Sequence, residues 1–257
     1  MNVLAFDIET VPDTDLGRRL YNLRDLSDAH VAQIMFLKRR EETGTDFLSH
    51  EQQRVIAISV VMRRGDVLKV WSLGGEEAPE AELIARFYDG LDKYSPELVS
   101  WNGAGFDLPV LHYRSLLHGV PAARYWETGD NDKSFKYSNY LSRFHWRHMD
   151  LMDILSGFQG RGRVGLHAMA TLLGFPGKLG MNGADVWDAY RRGELARIRA
   201  YCETDVLNTY LTYLRFELVR GNLSADEHAG EVGRVRRLLA ESTAEHFKEF
   251  AAAWPGT

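Results

Sequence analysis

The sequence predicts an α/β fold on a mixed sheet of about five strands flanked by helices. Three observations point there. β-rich runs stand at the N-terminus and again at Val55–Met62 and Val67–Ser72, the last two joined by Arg63-Arg64-Gly65-Asp66 as a hairpin. Beyond the hairpin, strand-like and helix-like segments alternate. The chain has 257 residues, 45% hydrophobic and 26% charged, enough for one large domain with a proper core.

Taken in order, Asn2–Ile8 (NVLAFDI) is the first strand, and it runs into Glu9. Asp13–His50 interrupts the pattern; it is polar and helical in character, with Ser27 placed as an N-cap. After the hairpin, Glu80–Tyr94 carries Leu83, Ile84, Phe87 and Leu91 at helical spacing, with Pro79 set for a first turn. Leu98–Trp101 is a buried strand, and Phe106–Leu117 the helix after it, with Pro109 in its first turn. Pro121–His148 is loop-like and interleaves seven aromatic residues, Tyr125, Trp126, Phe135, Tyr137, Tyr140, Phe144 and Trp146, with Arg124, Lys133, Lys136, Arg143 and Arg147. Met149–Ile154 reads as a short strand or the start of a helix. Leu166–Leu173 is a helix closed by Gly174. Helices Ala184–Arg191 and Glu194–Arg220 follow, the second stopped by Gly221, and a final helix covers Ala225–Ala252.

The formal net charge of −5 excludes a protein that grips nucleic acid by bulk positive charge. Any such contact must be local, or bridged by metals. Cys202 is the single cysteine, so no disulfide forms within the chain and a reducing compartment suits it. The N-terminus opens on a strand-like run with no basic and then apolar leader, so no signal peptide is expected. The longest apolar stretch, Val55–Met62, is too short to span a bilayer. A cytoplasmic protein with no membrane partner is the expectation.

Four acids in three short segments carry the chemistry: Asp7 and Glu9 in FDIET, Asp107 in WNGAGFD, and Asp205 in YCETD. Like charges within about 4–6 Å disfavour each other's ionised forms, so carboxylates that converge call for a counter-ion, and hard divalent cations prefer such oxygens. Asp7 and Glu9 are two apart on a strand and share a face, with Phe6 and Ile8 on the other. A solvent-facing acidic pair on an edge strand would look the same. Asp107 follows a strand and a glycine-bearing turn, where backbone N–H groups and a helix N-terminus suit anions. Its simpler role is to favour the helix dipole. Tyr201 and Asp205 are one turn apart on a strongly helical segment and share a face, as any half-buried helix pair does.

In this order, strand-D-x-E, then N-x-x-x-F-D after a strand and turn, then Y-x-x-x-D on a late helix, the segments resemble the three exonuclease motifs of the DEDD, or DnaQ-like, 3′–5′ exonucleases, which have the ribonuclease H-like fold. The wording is closest to the exonuclease domain of family B DNA polymerases. Most specifically, the chain is similar to the predicted stand-alone exonucleases related to that domain. Tyr201, with Ala200 where the other subtype has histidine, marks the tyrosine subtype. The resemblance covers most of 1–221, taken as one exonuclease domain with insertions near 13–50 and 121–148; 222–257 is taken as a C-terminal helical extension.

The resemblance implies that Asp7, Glu9 and Asp205 hold one divalent ion, Mg²⁺ or Mn²⁺, that Asp7 is shared with a second, and that Asp107 acts on the second through water. Tyr201 would orient the attacking water. Thr10, Asn102 and Phe106 would line the terminal nucleotides, with turn and core roles as alternatives for Asn102 and Phe106. Lys178, flanked by glycines in GKLGMNG, is placed to meet a phosphate. The implied activity is 3′–5′ exonuclease action on single-stranded or 3′-ended nucleic acid, DNA favoured, releasing nucleoside monophosphates, with a protein partner in replication or repair and any proofreading in trans. Its polarity comes from the resemblance alone. A catalytically silent nucleic-acid- or partner-binding module of the same fold, or an RNA-processing exoribonuclease, is the alternative.

Asp150 and Asp153 lie on a segment that runs near the site in such nucleases. His145 and His148 lack a ligand set, His167 is expected in the core, and Cys202 is expected to pack. The aromatic and basic stretch 121–148 suits single-stranded nucleic acid, or else forms a buried aromatic core.

Overall fold

The computed structural model describes residues 1–254, so the last three residues of the expected C-terminal extension lie outside the described residues. In chain order its elements are β1 (Asn2–Pro12), α1 (Thr14–Tyr21), α2 (Asp28–Thr43), β2 (Gln53–Arg64), β3 (Val67–Ser72), α3 (Glu80–Tyr94), β4 (Glu97–Ser100), α4 (Asp107–His118), α5 (Ala123–Trp126), β5 (His148–Asp150), α6 (Leu151–Leu155), α7 (Leu166–Leu172), α8 (Val186–Arg191), α9 (Leu195–Val219), α10 (Ala225–Glu241) and α11 (Glu245–Ala253). The strands form one mixed, open sheet in the order β3-β2-β1-β4-β5. β1 is central, antiparallel to β2 on one side and parallel to β4 on the other. This is the expected α/β architecture, consistent with a ribonuclease H-like fold.

Alternation along β1 decides what each face of the sheet meets. Leu4, Phe6 and Ile8 join Phe87, Leu91 and Leu111 in the core under α3 and α4. Val3 and Ala5 face the other way, with Val206, Tyr210 and Leu214 of α9. Asp7 and Glu9 continue that second series, so the apolar face of β1 becomes acidic where α9 crosses it. α9 is covered by the sheet on one side and by α7, α10 and α11 on the other. It is therefore apolar nearly all round and lacks a narrow stripe.

Several expectations are refined. Met149–Ile154 is both of the things it could be: strand up to Asp150, whose side chain then caps α6 by accepting from Met152 N and Asp153 N. The single C-terminal helix expected over Ala225–Ala252 is two. Ser242 leaves helical geometry at ψ 140°, and its hydroxyl takes the Ala244 N–H at 3.2 Å, offering the backbone an alternative to the helix. In 121–148, Tyr125, Phe135 and Tyr140 are buried against Tyr88 and one another, and Arg147 lies 4.0 Å from the Phe135 ring. Those residues form core. Trp126, Tyr137, Phe144 and Trp146 remain exposed.

The segment after β1 packs α1 against α2 around Val31, Met35 and Leu48. It is tied to α4 through Arg114, which donates to Asp13 Oδ2 at 2.5 Å and Glu80 Oε2 at 2.6 Å. No helix among the described residues is long and apolar enough to cross a membrane.

Candidate active site

The four acids converge at the end of β1. Ligand atoms of Asp7, Glu9 and Cys202 lie within 4.8 Å of one another. Cys202 comes from α9, which also brings Tyr201 and Asp205, one turn apart, to the same place. Its thiol donates weakly to the Asp7 carbonyl at 3.4 Å and to Asp7 Oδ2 at 3.5 Å. Asp107 arrives from the other side as the first residue of α4, and its Oδ1 accepts the Ile8 N–H at 3.1 Å.

The turn before α4 is held by Asp150. Its carboxylate accepts from Asn102 N at 3.0 Å and Ala104 N at 2.9 Å. Asn102 adopts φ 68°, a left-handed conformation that asparagine tolerates. A Cβ on Gly103 would stand 2.3 Å from Ser100 Oγ, so the turn passes too close to β4 for any side chain. Asp150 thus shapes the turn that aims Asp107, and His148 is a buried neutral partner of Ser100 at 2.9 Å, its imidazole pushed down to about 4 by burial. Asp153 is turned away into an ion pair with Arg163.

Lys178 closes the cluster. Its Nζ lies 2.8 Å from Asp205 Oδ2 and donates to the Tyr201 hydroxyl. The loop that carries it is clamped by Asn208, fully buried on α9, whose side chain accepts Gly177 N at 3.1 Å and donates to Gly177 O at 3.0 Å. His167 is exposed, contrary to expectation. Its Nδ1 accepts the Lys178 N–H at 3.1 Å, a bond that needs the ring at the loop and not in the core. Gly177, at φ +69°, makes room for it.

Thr10 and Phe106 line a cleft of about 830 Å³ that opens beside Glu9. Thr10 donates to Gln53 at 2.9 Å, and Phe106 packs against Phe47. Asn102 is half-buried within its own turn.

Electrostatics follow from crowding. Burial and the mutual repulsion of the acids hold Asp7 and Glu9 well above the usual carboxylate range. Burial pushes Asp107 up to about 7, although its own N–H and that of Ile8 oppose the shift. Asp205 is raised by burial against the pull of Lys178, and its Oδ1 is buried with no hydrogen-bond partner. Burial would lower the Lys178 ammonium, but Asp205, Asp7 and Glu9 outweigh that and raise it. One ammonium therefore serves a cluster of four carboxylates. A group of hard oxygens with excess negative charge and an unsatisfied buried acceptor fits a hard divalent cation. The Cys202 thiol, raised by burial and by the adjacent carboxylates, stays protonated and is a poor ligand.

Sequence reasoning missed Asn208, Phe47 and Trp187. Asn208 leaves a trace, a polar residue three after Asp205 on an otherwise apolar helix. Phe47 and Trp187 leave none, because only the fold brings them to one cleft.

A family model described as a predicted 3′–5′ exonuclease related to the exonuclease domain of PolB matches residues 45–254. That range takes in Asp107, Lys178, Tyr201 and Asp205 and leaves Asp7 and Glu9 ahead of it. The chain is also similar to the large catalytic polypeptide of DNA polymerase epsilon from Saccharomyces cerevisiae, 26% identical over 150 residues, which covers 54% of this chain and 6% of the yeast protein.

Proposed function

The chain belongs to the family of predicted 3′–5′ exonucleases related to the exonuclease domain of PolB, and from that premise we propose that it hydrolyses the 3′ end of single-stranded nucleic acid, DNA in preference to RNA, releasing nucleoside monophosphates. The observation that carries this reading is the convergence of Asp7, Glu9, Asp107 and Asp205 from three distant segments, each raising the others' affinity for positive charge.

Asp7, Glu9 and Asp205 would hold one divalent cation, Mg²⁺ or Mn²⁺, and Asp7 with Asp107 a second. When bound, such a pair acidifies the attacking water and stabilises the leaving 3′ oxygen. Water oxygen attacks the terminal phosphorus, the bond from phosphorus to the penultimate 3′ oxygen breaks, and the freed hydroxyl takes up a proton. Tyr201, beside Asp205, is held far above its ordinary value by burial and by the acids. It therefore remains a phenol, which positions the attacking water by hydrogen bonding and does not serve as its base. Lys178 directs its ammonium at the same spot and meets a non-bridging phosphate oxygen. Thr10, Asn102 and Phe106 contact the terminal nucleotides. Trimming of 3′ ends in DNA repair, alongside a protein partner, is the cellular role that fits this activity.

The test uses 5′-labelled single-stranded DNA and RNA of one sequence, with Mg²⁺, Mn²⁺ or chelator, beside the Asp7→Ala protein. The expected result is a metal-dependent ladder shortening from the 3′ end, stronger on DNA and absent in the variant. Intact oligonucleotides in every lane, with the protein folded, would overturn the reading in favour of a binding module of the same fold.

A further inference from the structure

Phe47 is 57% exposed, yet it is not a stray surface residue. Its ring centroid lies 5.2 Å from that of Phe106, tilted by 54°. The loop that presents it is fastened to the turn before Asp107, where His50 Nε2 donates to the Gly105 carbonyl at 2.9 Å. Both rings line the cleft of about 830 Å³ beside Glu9 and Thr10, and Trp187 of α8 lines it too. Three aromatic side chains from three separate elements thus border one opening that ends at the carboxylate cluster. Single exposed apolar residues need no explanation, but an aromatic group gathered at a polar site does.

We propose that Phe47 and Phe106 form a stacking subsite for an unpaired nucleobase at the 3′ end of the strand, with Trp187 a further aromatic wall. The identity of the ligand rests on the exonuclease reading. A strand whose terminal phosphate meets the acids through cations carries its bases into this cleft, where flat π faces are the complementary surface. A base laid on Phe47 has left its stacked neighbour and its complementary partner. The subsite therefore selects single strands and frayed ends over paired ones. Every base has a π face, so it does this with little regard to base identity.

The experiment places 2-aminopurine at the last or the penultimate position of a single-stranded DNA oligonucleotide. Its fluorescence is recorded on mixing with the protein in Ca²⁺, and degradation is followed separately in Mg²⁺. The wild type should quench the probe. Phe47→Ala should lose most of the quench and raise KM by about tenfold, the size expected for one stacked base, with a much smaller change in kcat. Phe47→Tyr should restore both. Unchanged quench and KM in Phe47→Ala, with degradation intact, would overturn the subsite. A wild type that quenches but degrades nothing would sink the exonuclease reading and leave the subsite standing; one that neither quenches nor degrades would sink both.

Discussion

Asp107 Oδ1 accepts the backbone N–H of Ile8 at 3.1 Å, joining residues 99 apart in the chain. The bond sets the carboxylate beside the strand that carries Asp7 and Glu9. Asp107→Asn keeps an acceptor there and loses the charge, whereas Asp107→Ala loses both. The alanine variant should unfold about 1–3 kcal/mol more easily in urea and the asparagine variant much less so, since an orphaned buried N–H is what costs. Both should lose nuclease activity. Equal destabilisation of the two would show that the Ile8 bond does not position the strand.

Asp7 sits among like charges, and its ionised form is disfavoured by burial and by Asp107 and Asp205. Asp7→Asn in chelator should therefore be more stable than the wild type by about 1–2 kcal/mol, as at other sites that give up stability for function. Adding Mg²⁺ should raise the melting temperature of the wild type and barely move the variant. Thermal melts with and without the ion check both statements. A variant less stable in chelator would show that Asp7 is a structural acceptor first.

Lys178 reaches Asp205 only because Asn208 clamps Gly177. Lys178→Met should lower kcat by roughly 10²–10³, the range seen when a group stabilising transition-state charge is removed. Asn208→Leu acts through the same lysine, so the double variant should be little worse than Lys178→Met alone. Full additivity of the two losses would separate Asn208 from Lys178.

Arg114 joins Asp13 and Glu80 in a cluster whose side chains are all nearly buried. Burial raises Asp13, but the Leu16 N–H and Arg114 outweigh it and hold the carboxyl below its ordinary value. Arg114→Leu strands two buried carboxylates and should cost about 3–5 kcal/mol at pH 7. A lowered carboxyl gives stability that is present above its unfolded value of about 4 and is lost as pH falls through the folded value. The wild-type advantage should accordingly shrink below pH ~4. Urea titrations of both proteins at pH 7 and pH 3 measure it, and an advantage equal at the two would refute the charge account.

The strands and helices were legible because each leaves a period or a stop signal: alternation in β1, the Gly65-Asp66 turn, Gly221 after α9. The acids were legible because they stand at short, fixed spacings in three segments. His167 was misread for a definite reason. A helix face that looks apolar in sequence is core only if something covers it, and α7 turns that residue outward to the Lys178 loop. The C-terminal break at Ser242 was missed because helical propensity differs little across it, and the hydroxyl bond to Ala244 decides it.

By itself the sequence determined the α/β alternation, the face of β1 that carries Asp7 and Glu9, and the pairing of Tyr201 with Asp205 on one turn, because these depend on periods of two and of about four residues. Which of the isolated acids would meet was decided by the tertiary structure alone. α9 had to cross β1 at its acidic end, Asp150 had to bend the turn that aims Asp107, and a loop 23 residues before Tyr201 along the chain had to return Lys178 to it. Those are contacts between distant segments, set by packing of the whole core, and no local pattern encodes them.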